Sequence, residues 1–148
     1  RCPHDAATRR AHTGTACGPL RARRVSCARF LACRKATPGV AIAVNEVVVG
    51  KMRTATGRIV DFAGCDVLTR LARMLRYLAV TYPRAGAPAG VIGAPLSQAE
   101  LATLVGASDS AVGKALRTLR DTGVISTRYR TVGVRDLPAL TEIAFGDT

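Results

Sequence analysis

The first clear pattern is a set of positions spaced alternately four and three residues apart: Ala41, Asn45, Val48, Met52, Ala55, Ile59 and Phe62. This is the a/d seam of a coiled coil, sustained over about three heptads. Strand propensity competes, because Val40, Ile42, Val44, Val47, Val48 and Val49 are β-branched. Periodicity outweighs it. The helix is expected to start at Thr37-Pro38, a hydroxyl able to cap free amides followed by a proline at a position whose N–H is unpaired anyway. Two such helices would pair, and Asn45 suits a dimer in which it bonds its symmetry mate and fixes register. A lone amphipathic helix packed on its own domain is the other reading of the same spacing.

A second helix should follow Asp66, an N-cap residue, with Val67, Leu71, Leu75 and Leu78 on its apolar face and Arg70, Arg73 and Arg76 away from it. Residues 83–95 hold three Pro and three Gly and read as a connecting loop, with a small hairpin at Val91-Ile92. Then Ser97-Gln-Ala-Glu100 has the form of a capping box, and Leu101, Leu104 and Val105 face inward. Gly106 can end that helix in a left-handed conformation, and Ser108 can cap another only two residues later. In the new helix Val112, Leu116 and Leu119 form the buried stripe, opposite Ser110, Lys114 and Arg117. Gly123 stops it, and two short strands over 124–127 and 131–134 alternate around Arg128-Tyr129-Arg130. The fold expected is mainly α with a small β wing. Three segments are expected: 1–37, basic and poorly patterned, with a strand around Arg23 to Cys27; 38–65, a dimerisation helix; and 66–148, a winged helix-turn-helix.

Charge sharpens this picture. The 148-residue chain carries 22 Lys and Arg against 10 Asp and Glu, a net charge of +12, so a polyanion is the expected partner. Residues 1–37 contribute nine of those cations against Asp5 alone, and residues 114–135 carry six against Asp121. The second cluster matters more, because it falls on the helix-turn-helix and its hairpin.

Candidate chemistry changes little. Gly106, Gly113 and Lys114 do not make a phosphate loop: the glycine spacing is wrong, and Ala115 stands where Ser or Thr would hold magnesium. The sequence shows no nucleophile elbow, no His-Glu-x-x-His and no paired-carboxylate pattern, so an enzyme is not expected. The five cysteines are odd in number and lack a C-x-x-C pair, which favours free thiols over a disulfide framework or a zinc site. Cys2, His4, His12 and Cys17 stand close enough in sequence for a metal site to be imagined, but none is expected. No apolar run approaches the ~20 residues needed to cross a bilayer. The cysteine pattern fits a reducing cytoplasm, so a cytoplasmic location without membrane contact is expected, and no signal peptide is visible. Because the chain begins with Arg, it reads as a fragment or a processed product.

The run LSQAELATLVGASDSAVGKALRTLRDTGVI over 96–125 resembles the Crp/Fnr helix-turn-helix. Upstream, Phe62-Ala-x-x-Asp66-Val67-x-x-Arg70-Leu-Ala-x-x-Leu75 resembles that family's hinge and following helix, and the seam helix its dimerisation helix. The resemblance covers residues 30 to about 142. It implies a bacterial transcription regulator that binds a two-fold-related site on double-stranded DNA as a homodimer, with RNA polymerase as a further partner. By position, Ser108, Asp109, Ser110 and Lys114 would face base edges or adjacent phosphates. Ser97 and Gln98 would meet the backbone at the groove rim, Arg117 would add a phosphate contact, and Arg128 and Arg130 would meet phosphates beside the wing. The dimer would use Asn45, Val48, Met52, Ala55, Ile59 and Phe62.

There are two departures from the family's pattern. Where the best-known members place Arg, Glu and Arg to read bases, this chain has Asp109, Ser110 and Lys114, so their target sequence is not carried over. The N-terminal effector-binding β-roll cannot fit, and residues 1–37 would be its remnant. Arg10-Ala11-His12 falls where nucleotide-binding members have Arg-Ser/Thr-Ala, but it lacks the hydroxyl, so neither a cyclic nucleotide nor any other cofactor is expected here. Winged helices also serve as protein-interaction modules, and a regulator that has lost specific DNA binding is the alternative function.

Overall fold

The computed structural model describes residues 20–146. The Cys2, His4, His12 and Cys17 group and the Arg10-Ala11-His12 motif lie outside the described residues. The chain forms two compact units that divide between Gly57 and Arg58.

In the first unit, α1 (Cys27–Ala36) is capped by Ser26, whose hydroxyl accepts the Arg29 N–H at 3.3 Å. The strand expected around Arg23 to Cys27 is absent: residues 20–26 form no regular element, and Cys27 opens this helix. The helix has no apolar period to announce it, and a single Ser cap is its local signal. Its last turn carries Arg34 and Lys35, favourable beside the carbonyl end of a helix. Cys33 and Cys65 are free thiols, whereas Cys27 is disulfide-bonded, so the expectation of free cysteines fails at that position.

Thr37 closes α1 through its N–H to the Cys33 carbonyl at 2.9 Å, and α2 (Pro38–Gly64) begins at the next residue. The valine-rich stretch 40–49 is helical, as periodicity required against β-propensity. No residue of α2 is buried.

The second unit is built around α3 (Val67–Thr81). Asp66 caps it, accepting the Thr69 N–H at 2.7 Å. Leu71, Ala72 and Leu75 are fully buried, with Met74, Leu78 and Ala79 close behind, a wider face than the four positions read from spacing. Against α3 pack α4 (Gln98–Val105), α5 (Asp109–Asp121) and α6 (Leu137–Phe145). Between α5 and α6 lies an antiparallel hairpin, β1 (Ile125–Arg128) and β2 (Thr131–Val134), in register Ile125↔Val134, Ser126↔Gly133, Thr127↔Val132 and Arg128↔Thr131. Ile125, Val132 and Val134 enter the same core as Leu101, Val112, Leu119 and Leu140.

The loop over 83–95 does form extended pairings, as its Val91-Ile92 suggested. Pro83 bridges Ile92, and Val91 bridges Gly133. The Ile92 N–H donates to the Val132 carbonyl at 3.1 Å, and the Val134 N–H donates to the Gly90 carbonyl at 2.9 Å. The outer edge of β2 is thereby covered, which removes a row of unpaired backbone groups.

Helix α6 has no counterpart in the sequence reading. Its signals are Asp136, whose carboxylate accepts the Ala139 N–H at 2.8 Å, and Pro138 in the first turn. It also explains the arginines of α3, which are not simply solvated. The Arg73 guanidinium pairs with Asp61, donates from Nε to the Ala144 carbonyl at 2.6 Å, and lies 4.8 Å from the centre of the Phe145 ring. Arg76 donates to the Thr141 hydroxyl at 3.0 Å and covers the same ring at 5.5 Å. Arg70 lies over Phe62 at 5.1 Å, and its buried Nε has no hydrogen-bond partner. For this side chain the ring face supplies the attraction that an acceptor would otherwise give.

Candidate nucleic-acid interface

The supporting helix α4 starts from a complete capping box. The Glu100 N–H donates to the Ser97 hydroxyl at 3.2 Å, and the Ser97 N–H donates back to the Glu100 carboxylate at 2.7 Å. Hydrogen bonds from the Ser97 hydroxyl and backbone hold the Glu100 carboxyl below its ordinary range. Gly106 ends the helix with φ +59°, a left-handed conformation in which the next N–H, of Ala107, reaches back to the Ala102 carbonyl at 3.0 Å. A side chain at 106 would also collide with the edge of the Phe62 ring. Both requirements select glycine at the tight turn.

Ser108 then caps α5, accepting the Ala111 N–H at 3.3 Å. Asp109 sits in its first turn, where the positive end of the helix favours a carboxylate. The two helices are tied by Gln98, whose side-chain Nε2 donates to the Asp109 carbonyl at 2.8 Å. Gly113 makes room for this tie: a Cβ there would come 2.9 Å from the Gln98 nitrogen.

Burial separates the two faces of α5. Val112, Ala115, Leu116 and Leu119 are buried, while Ser108, Asp109, Ser110, Lys114 and Arg117 are exposed. The exposed face borders an open cleft of about 490 Å³ between α4, α5 and the hairpin. Lys114, Arg117, Arg120, Arg128 and Arg130 line it, beside Gln98 and the hydroxyls of Ser97, Ser110, Thr127 and Thr131.

Sequence reasoning counted Arg120 in the basic run over 114–135 but gave it no place in the site; one turn beyond Arg117, it donates to the Thr127 hydroxyl at 3.4 Å. It also overlooked what Arg130 does: its guanidinium donates to the Glu100 carboxylate at 3.1 Å and to the Pro95 carbonyl at 3.4 Å. Arg130 has φ +49°, and with Tyr129, 92% exposed, it forms the tip of the hairpin.

Asn45, Val48, Met52, Ala55 and Ile59 are all exposed, Met52 at 64% and Ile59 at 69%. Phe62 is half exposed, with one face under Arg70 and an edge against Gly106. Among the described residues no group of His, Cys, Asp and Glu could hold a metal ion, and no helix is long and apolar enough to cross a membrane.

Residues 69–143 match the model of the Crp-like helix-turn-helix domain, a stretch running from the first turn of α3 into α6. The fold is that of FixK2 from Bradyrhizobium japonicum, with a TM-score of 0.71 at 19% identity over 80% of this chain and 59% of that one. A CRP-family transcriptional regulator from Thermus thermophilus is similar at 27% identity and a TM-score of 0.60, over 72% of this chain and 54% of its own. A CRP/FNR-family regulator from the same organism gives 26% and 0.63, over 73% and 55%. The chain thus spans little more than half the length of these proteins. No curated protein sequence matches it. An apolar core that holds a capped pair of helices and a hairpin, with one helix face left polar and cationic, has this match because the chain belongs to the Crp-like helix-turn-helix family, the transcription regulators of Crp/Fnr type, which are not enzymes.

Proposed function

We propose that this regulator binds a two-fold-related DNA operator as a homodimer in the cytoplasm, with α5 in the major groove and the hairpin against the flanking backbone. The observation that carries this reading is the exposed face of α5. Ser110, Lys114 and Arg117 stand clear of the core and open onto a cleft whose cations come from both α5 and the hairpin. A major groove about 12 Å wide admits such a helix, and half-sites would recur about one helical turn, ~34 Å, apart.

Within this reading Lys114 donates to guanine or an adjacent phosphate, and Ser108 and Ser110 bond base edges or backbone. Asp109 accepts from a cytosine amino group. Ser97 and Gln98 serve the groove rim, Gln98 chiefly by holding the start of α5, and Arg117, Arg128 and Arg130 meet phosphates. Dimerisation uses Asn45, Val48, Met52, Ala55, Ile59 and Phe62, whose exposure in a single chain supports a partner helix. RNA polymerase would be the second partner, and no cofactor is assigned to this chain.

The test is selection of bound duplexes from a random pool, with the association state measured in parallel. A selected site with two-fold symmetry is the expected result. Lys114→Ala should weaken binding to it by about tenfold. Asp109→Ala should change the preferred base at one position of each half-site. A chain that ignores duplexes even in dilute buffer would be a protein-interaction module instead. The capture of Arg130 by Glu100 is the one contact that favours that second reading.

A further inference from the structure

We propose that the hairpin carries a second phosphate-binding site built on Arg84 and Arg135, together with Arg128, which it shares with the cleft over α5. The strand register places Ser126, Arg128, Thr131 and Gly133 on one face, because their neighbours Ile125, Val132 and Val134 turn into the core. The loop segment that covers β2 brings a third cation. The Arg84 N–H is held by the Val91 carbonyl at 2.8 Å, and Val91 bridges Gly133. Arg135 follows β2 directly, its N–H fixed on the Val124 carbonyl at 2.9 Å. These residues surround a second concavity of about 390 Å³ with no acidic side chain in its lining.

Among the described residues none of these three arginines is ion-paired, unlike Arg73, Arg120 and Arg130. Three guanidinium groups around one hollow repel each other and favour an anion that each can grip with parallel N–H groups. The Ser126 and Thr131 hydroxyls also line the hollow, but they donate to the Gly133 carbonyl at 3.4 Å and the Tyr129 carbonyl at 3.2 Å, so its donors are the arginines. At Gly133 a Cβ would crowd the Ser126 hydroxyl at 3.0 Å, so glycine keeps room for the bond that this hydroxyl donates to the Gly133 carbonyl at 3.4 Å. Several donors on rigid backbone, with no acceptor among the charged groups, select a phosphate group. It can belong to a small phosphorylated molecule or to DNA beyond the recognised half-site. Only the DNA source depends on the operator reading above.

The experiment has two arms. In the first, the whole chain is titrated with inorganic pyrophosphate at constant ionic strength while the arginine side-chain N–H signals are followed by NMR. Saturable shifts should be confined to Arg84, Arg128 and Arg135, and the double variant Arg84→Gln/Arg135→Gln should bind about tenfold more weakly or worse. In the second, the same variant is measured on a short duplex and on one extended by about one helical turn at each end. A loss of affinity on the extended duplex alone, with a salt slope smaller by about two per protomer, identifies the ligand as flanking DNA. Pyrophosphate binding without any duplex effect identifies a small phosphorylated ligand. If shifts spread over every exposed arginine and the variant equals the parent in both arms, the site does not exist. Should the parent chain bind no duplex at all, the operator reading falls while the first arm still decides this one.

Discussion

Gly106 is the residue on which the turn between α4 and α5 most depends. Its φ of +59° and the Phe62 ring beside it leave no space for a Cβ. Gly106→Ala should therefore cost about 2–4 kcal/mol in chemical denaturation, from left-handed strain together with overpacking. Phe62→Ala in the same chain should recover the packing part and leave the strain. The N-cap Asp66 gives a second prediction. The Thr69 N–H holds its carboxyl below the ordinary 3.8, so the charged form is favoured in the folded state. That contribution is present above the ordinary value and lost as pH falls through the depressed one. Glu100 shifts in the same direction, held by Ser97. The melting temperature should fall as pH drops below about 5 and on through the depressed values, and Asp66→Asn, which keeps an oxygen acceptor at the cap, should make that fall shallower.

At the scale of elements, α2 is the sharpest case. It is 27 residues long, and none is buried. Isolated helices owe most of their stability to packing, which is why the proposed dimer sets a partner helix on this seam. Val48→Glu with Met52→Glu should give a monomer by sedimentation and a lower helical content, whereas an unchanged dimer would remove the seam from the interface. Elements with a strong period or a full cap were legible in advance: α2 from its heptads, α3 from Asp66 and its leucines, α4 and α5 from the capping box, Gly106 and Ser108. The boundaries of β1 were off by one residue, because Val124 is buried like a strand residue but precedes the ladder. Helices α1 and α6 were missed for one physical reason. Neither shows a clean apolar stripe, and each is announced only by a capping side chain, Ser26 or Asp136. In α6 the apolar residues Leu140 and Ala144 are matched to a surface, on α3, that sequence cannot display.

For the whole molecule, composition indicated a polyanion partner, and the fold sorts the cations by task. Arg70, Arg73 and Arg76 cover aromatic rings or tie α3 to α6 and Asp61, and Arg130 is held by Glu100. Lys114, Arg117 and Arg128 are not ion-paired among the described residues and border the cleft. The salt dependence of duplex binding should thus reflect far fewer charges than the net +12 suggests. In a titration of affinity against salt, Lys114→Ala and Arg117→Ala should each lower the slope by about one per protomer, and Arg73→Ala should leave it unchanged while lowering stability. The identities of the exposed groups on α5 were readable from spacing. Which arginines remain available was not, because that depends on α6 and on the turn at the hairpin tip.

The grip of Gln98 on the backbone of Asp109, made possible by a missing methyl at Gly113, separates posture from vocabulary. Beside the buried core, α5 is held on its neighbour by a bond to a main-chain oxygen, a group that stays when the side chains at 109, 110 or 114 are exchanged. Under the proposed operator reading, new targets can be acquired by rewriting a few protruding groups while the tie between α4 and α5 is kept.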